Sequence, residues 1–94
     1  MPKYVVRVEG EGCRIRIRRE DGTVSATSGF FTTRFVEAPE PEEAQRQAFA
    51  LIWNELTGID AERSLDTCRL SVDEIREDPQ AFDEYAPGSG FTWY

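Results

Sequence analysis

Three arginines at alternate positions are the first residues in this chain with a shared chemistry. Arg14, Arg16 and Arg18 alternate with Cys13, Ile15 and Ile17. In a strand that spacing puts all three guanidinium groups on one face. Arg7 and Arg34 lie in other β-rich stretches and are expected beside them, on the sheet face turned away from a helix. Arginines among aromatic rings are one way to hold single-stranded nucleic acid, with bases stacked on rings and phosphates on guanidinium groups. The charge balance disfavours that partner. Net charge is −7 overall, but it runs from +3 over residues 1–36 to −10 over residues 37–94, which weakens long-range attraction to a polyanion. The favoured reading is a solvated face whose arginines pair across strands with Glu9, Glu11 and Glu20. An acidic protein, or the acidic half of a second copy, is the further occupant the row would suit.

The second group is Phe91-Thr92-Trp93-Tyr94, three large aromatics after the break Pro87-Gly88-Ser89-Gly90. Rings of this size are costly to leave in water and are typical interface anchors. Two placements stay open. The tail folds back as a short strand or cap on its own core, or it inserts into a partner, including a symmetric dimer with exchanged tails. Phe91, Trp93 and Tyr94 therefore join Arg7, Arg14, Arg16, Arg18 and Arg34 as the candidate interaction residues.

Catalytic chemistry has little to build on. The chain has no histidine, which removes the commonest general base, the usual activator of a nucleophilic Ser or Cys, and the commonest metal ligand. Ser28, Thr32 and Thr33 lack an activating motif or a phosphate-cradling loop. The acidic run Asp73, Glu74, Glu77, Asp78, Asp83 and Glu84 lacks the glycine and spacing of a calcium loop. No catalytic residue, metal or cofactor is assigned. An enzyme remains the alternative only if carboxylates and arginines converge, with Arg34, Glu37 and Tyr85 as the members of such a pocket.

Cys13 and Cys68 fall on inward-facing parities and outside any Cys-x-x-Cys motif. Buried free thiols are favoured over a single disulfide, because Met1-Pro2-Lys3-Tyr4 lacks the apolar core of an export signal and cytoplasmic thiols stay reduced. No run approaches the roughly 18 apolar residues of a membrane helix. A cytoplasmic protein with no membrane partner is expected.

The elements that must position these groups follow from periodicity. Residues 4–9 alternate, with Tyr4, Val6 and Val8 facing the core, and Gly10-Glu11-Gly12 predicts a hairpin into a second strand over residues 13–19. Asp21-Gly22 is a turn, and residues 23–28 are an irregular strand. Residues 30–36 form the next strand, with Phe31, Thr33 and Phe35 on one face and Phe30, Thr32, Arg34 and Val36 on the other. Both faces carry large apolar groups, so which one is buried stays open.

Pro41 suits a first helical turn, Glu42 and Glu43 favour its dipole, and Gly58 predicts a left-handed stop. Between them Ala44, Ala48, Leu51 and Ile52 overlap with Phe49, Trp53 and Leu56 in a wide apolar face. A loop over 59–64 leads to a strand over 65–72, with Cys68 inward beside Leu70. Residues 73–78 extend that strand or make a helical turn, and Pro79 ends either one. At 94 residues the chain is one domain, 1–94, with 87–94 a Gly-rich break and aromatic tail.

Three strands before a helix that opens Glu37-Ala38-Pro39-Glu40-Pro41-Glu42-Glu43-Ala44-Gln45-Arg46-Gln47-Ala48 resemble the small bacterial-type α+β antitoxin domains of the HicB type. The likeness covers about half the chain. The Pro-Gly-Cys stretch often found before that helix is missing, as is an added DNA-binding segment. The resemblance implies neutralisation of a toxin by protein contact.

The patterning as a whole predicts an α+β fold: a mainly antiparallel sheet of three to four strands, ordered β-β-β-α-β along the chain, with one long helix on one face. The missing catalytic pieces point to a protein-interaction or regulatory module. It would act on another protein or a second copy of itself, through the exposed sheet face or the aromatic tail.

Overall fold

A computed structural model describes residues 1–18, 20–59 and 62–94, and at 17, 18 and 62–64 the backbone alone. The elements are β1 (Lys3–Glu11), β2 (Arg14–Arg18), β3 (Val24–Ala26), β4 (Gly29–Glu37), α1 (Pro41–Thr57), β5 (Glu62–Ser64), β6 (Arg69–Glu77), α2 (Pro79–Tyr85) and β7 (Thr92–Trp93). A four-stranded sheet has the order β6-β1-β4-β7, and a three-stranded sheet the order β3-β2-β5. Their pairings are antiparallel. This is the α+β architecture predicted from the patterning, with a second small sheet and a short second helix added.

The core forms where two periodicities meet. Tyr4, Val6 and Val8 of β1 and Phe30 and Val36 of β4 share one sheet face, against which α1 sets Ala44, Ala48, Ile52 and Leu56. These four helical residues form a single i, i+4 row, and the alanines let the N-terminal half of α1 come close to the sheet. The buried stripe is narrower than the sequence suggests: Leu51 and Trp53 are 43% and 40% exposed. Gly10 lies opposite Phe30 in the register, and a β-carbon there would clash with the Phe30 ring.

Several local expectations are corrected. β1 and β2 do not form a hairpin, because β1 runs on to Glu11 and both its edges are taken, by β4 and β6. Gly12, at φ +69°, then swings the chain away, and β2 starts the second sheet between β3 and β5. Gly58 ends α1 without a left-handed turn, at φ −87°, with its N–H shared between the carbonyls of Asn54 and Glu55. The loop expected over 59–64 holds β5, and its residues 60 and 61 lie outside the described residues.

β6 extends to Glu77, but pairing passes from Glu74 opposite Arg7 to Val72 opposite Val8. Asp73 is thus an extra, bulged residue, and the inward set changes from Leu70 and Val72 to Ile75. Pro79 does not merely stop a strand. It opens α2, with the Asp78 carboxylate accepting the Ala81 N–H at 3.0 Å as the cap.

Cys13 and Cys68 are joined in a disulfide across a sequence separation of 55, so the expectation of free thiols is overturned. Neither lies in a strand as expected: β2 starts at Arg14 and β6 at Arg69, and each cysteine sits just ahead of one of them, turned toward the core. The Gly12 turn packs on Thr67, whose hydroxyl donates to the Gly12 carbonyl at 2.8 Å, and this carries β2's first residues to the beginning of β6.

Candidate functional site

The parity of β4 decides where the predicted interaction residues go. Phe30, Thr32, Arg34 and Val36 face α1, so Arg34 lies on the helix side of the sheet and not on the opposite face as expected. It is 1% exposed. A guanidinium group this deeply buried needs a counter-charge and hydrogen-bond acceptors. It has both: Arg34 donates to Glu55 Oε2 on α1, to Thr32 Oγ1, to the Thr33 carbonyl at 2.9 Å and to the Gly90 carbonyl at 3.4 Å. Gly90 is gripped again by the Thr32 hydroxyl, which donates to its carbonyl at 2.6 Å, and by Glu55 Oε1, which accepts its N–H at 3.0 Å. Arg34 is therefore a clasp that holds the chain before the aromatic tail against β4.

The tail takes the first of its two open placements. Phe91 and Trp93 meet Phe30 edge-on, at ring-centroid distances of 4.8 and 5.5 Å. Phe91 also lies under the Arg34 guanidinium, 5.4 Å away. β7 pairs with β4 at Phe30 and Phe31, and the Tyr94 backbone bonds to Ser28 and Gly29. The Tyr94 hydroxyl donates to Glu9 at 2.7 Å, and this bond to a carboxylate raises its pKa to about 12. Phe91, Trp93 and Tyr94 are thus part of the domain's own packing.

The opposite sheet face is where exposed chemistry gathers. α2 covers one end of it: Lys3 pairs with Asp83 at 2.6 Å and sits over Phe82, and Tyr85 lies 6.0 Å from Phe35. Lys3 is held protonated above its usual pKa chiefly by its hydrogen bond to Asp83. Beyond α2 the face opens into a groove of about 800 Å³. Phe31, Thr33 and Phe35 form its floor, Arg7 and Tyr85 flank it, and residues 88–90 wall it.

That wall stays close to β4 because the Phe35 N–H donates to the Pro87 carbonyl at 3.0 Å. Gly88 adopts φ +79° against the Thr33 carbonyl, where a side chain would clash. Arg7 lies over the Phe31 ring at 5.1 Å and beside Asp73, Nε to Oδ2 3.2 Å. The arrangement can stack or enclose apolar groups beside a cation.

The remaining predicted residues do not join this site. Arg14 and Arg16 are exposed on β2, in the other sheet, and the Arg18 side chain lies outside the described residues. Among the described residues Arg14 makes no ion pair with Glu9, Glu11 or Glu20. Arg34 and Tyr85 lie on opposite sides of the sheet, so the pocket of Arg34, Glu37 and Tyr85 is not assembled. The acidic run is dispersed: Asp73 meets Arg7, Glu74 and Asp78 meet Arg76, and Asp83 meets Lys3.

Sequence reasoning missed Phe31, Phe35 and Asp73 as site residues, and it placed Tyr85 with Arg34 and Glu37 and not in this groove. The alternation of Phe31, Thr33 and Phe35 was visible but could not show which face α1 covers. Asp78-Pro79 is the cap-and-N1 signal that would have placed Tyr85 on a helix. Among the described residues no helix is long and apolar enough to cross a membrane. No protein family, curated protein or solved structure matches this chain.

Proposed function

We propose that this domain is a protein-interaction module that seats a segment of a partner protein in the groove on the sheet face away from α1. The observation that carries this reading is the placement of Phe31 and Phe35. They are only part-buried at the centre of the sheet, beside an exposed Arg7 and a Tyr85 that is 60% exposed. Aromatic rings and arginine in a concave, part-desolvated setting are the usual energetic anchors of protein interfaces. The tail, expected as the other anchor, is instead packed on Phe30 of its own chain. The HicB-type opening of α1 makes a toxin-like protein one candidate partner. The disulfide weighs against the cytoplasmic location expected from the sequence, because such bonds persist in oxidising compartments. A groove of this kind works in either setting.

The test is nuclease-treated affinity capture from source cells, with the wild type beside Arg7→Glu and Tyr85→Ala variants whose melting temperatures are unchanged. One protein retained by the wild type and lost from both variants is expected. Equal retention by all three would place the interface elsewhere. Material lost on nuclease treatment would favour single-stranded nucleic acid on β2, where Arg14 and Arg16 are exposed. That second reading lacks rings beside its arginines, since Phe31 and Phe35 belong to the other sheet.

A further inference from the structure

Arg7 is incompletely satisfied. Its cross-strand neighbours are Thr33 on one side and Glu74 on the other, so Glu74 is the carboxylate the register would pair with it. Glu74 instead accepts from Arg76 at 2.9 Å. Arg7 is left with the bulged Asp73, its Nε 3.2 Å from Asp73 Oδ2, in a pair in which both side chains are nearly half exposed. The Arg7 side chain donates no hydrogen bond to any described residue. Arg34, by contrast, is ringed by acceptors. A guanidinium group has five N–H donors in a fork suited to a carboxylate. This one is held over Phe31, about half exposed, where it lines the groove.

We propose that Arg7 is the anion-recognising residue of the groove. Its ligand is an extended peptide segment presenting one carboxylate side chain between aromatic or branched apolar side chains, and that carboxylate takes over Arg7 from Asp73. The inference rests on the groove being a protein-binding site. Charge complementarity selects the occupant: one carboxylate matches one open guanidinium group, while Phe31, Phe35 and Tyr85 match the flanking apolar groups. A polyanion would meet a molecule of net charge −7. Asp73 is the internal stand-in, set on the bulge so that Arg7 is occupied when the groove is empty.

The experiment is a titration of the ¹⁵N-labelled protein, followed by amide chemical shifts. The probes are an acetylated, amidated Phe-Asp-Phe peptide and its Phe-Asn-Phe counterpart, both taken to millimolar concentration. The Asp peptide should perturb Arg7, Phe31, Thr33 and Phe35 and bind about tenfold more tightly than the Asn peptide, as one charge-assisted hydrogen-bonded pair is worth. Net charge acts against the Asp peptide, so its preference can only come from a local cation. Arg7→Gln should abolish the preference while leaving the rest of the spectrum in place. Asp73→Asn should tighten the Asp peptide several-fold and leave the Asn peptide unchanged.

Equal binding of both peptides in the groove would overturn the role of Arg7 and leave the groove as an apolar peptide site. Shifts confined to other surfaces, or no shifts with either peptide, would overturn both the carboxylate ligand and the groove.

Discussion

Arg34 and Arg7 are the same residue type on neighbouring strands, and their surroundings give them opposite roles. Arg34 faces α1 and is closed in by Glu55, Thr32 and the Gly90 carbonyl. Arg7 faces the groove with one loose ion pair. Breaking a buried pair costs most when the member left behind stays buried. The Arg34 side chain is 2% exposed and that of Glu55 is 36%. Glu55→Ala, which strands Arg34, is therefore expected to destabilise the domain by about 3 kcal/mol or more. Arg34→Met keeps most of the apolar stem and leaves a carboxylate that water can reach, and it should cost less. Urea unfolding midpoints of the two variants check the order, and a reversed order would mean that the clasp is not electrostatic.

Among the elements, α1 and β4 were the most legible and the tail the least. Pro41, two glutamates and a periodic stripe specify a helix by local chemistry alone, and α1 runs over the residues those signals mark. β4 was legible as a strand because aromatic and β-branched residues fit a pleated surface. Its orientation was not, since alternation defines two faces without naming the buried one. The tail's two placements had the same local sequence, and only pairing with Phe30 and Phe31 separates them. Deleting residues 91–94 removes two part-buried rings and should cost about 3 kcal/mol. For a domain of this size that is roughly 10 °C or more in melting temperature. A melting temperature that did not move would show that β7 leaves the sheet in solution.

At the scale of the whole molecule, the uneven charge becomes a packing device. Lys3, Arg7 and Arg34 of the basic half pair with Asp83, Asp73 and Glu55 of the acidic half. The +3 and −10 segments therefore fold against each other, and their charges are partly compensated within the molecule. The two sheets are held together more sparingly. β2 meets the main body through its Ile15 and through the preceding Cys13, both in the core, and through the disulfide from Cys13 to Cys68. Thr27 ties β2 to the chain leading into β4, with its hydroxyl accepting the Ile15 N–H and donating to the Cys13 carbonyl, each at 3.2 Å.

A cross-link spanning 55 residues restricts the unfolded chain by about 4 kcal/mol. Reduction should lower the urea midpoint accordingly and should raise amide exchange in β2 and β3 more than in β1 and β4. Uniform loss of protection across both sheets would instead show a single cooperative unit.

Composition and local pattern by themselves determined the α+β class, the start of a long helix at Pro41, the approximate positions of most strands, and the lack of any histidine. These are short-range properties, set by backbone preference and side-chain period. The tertiary structure alone decided that Arg34 is buried and Arg7 is not, that Cys13 bonds to Cys68, and that Phe31, Phe35 and Tyr85 share a groove. The burial of Arg34 and the exposure of Phe31 and Phe35 depend on which sheet face α1 covers, and the disulfide depends on the packing of Gly12 on Thr67. Both are fixed by contacts between residues far apart in the chain, which local spacing does not encode.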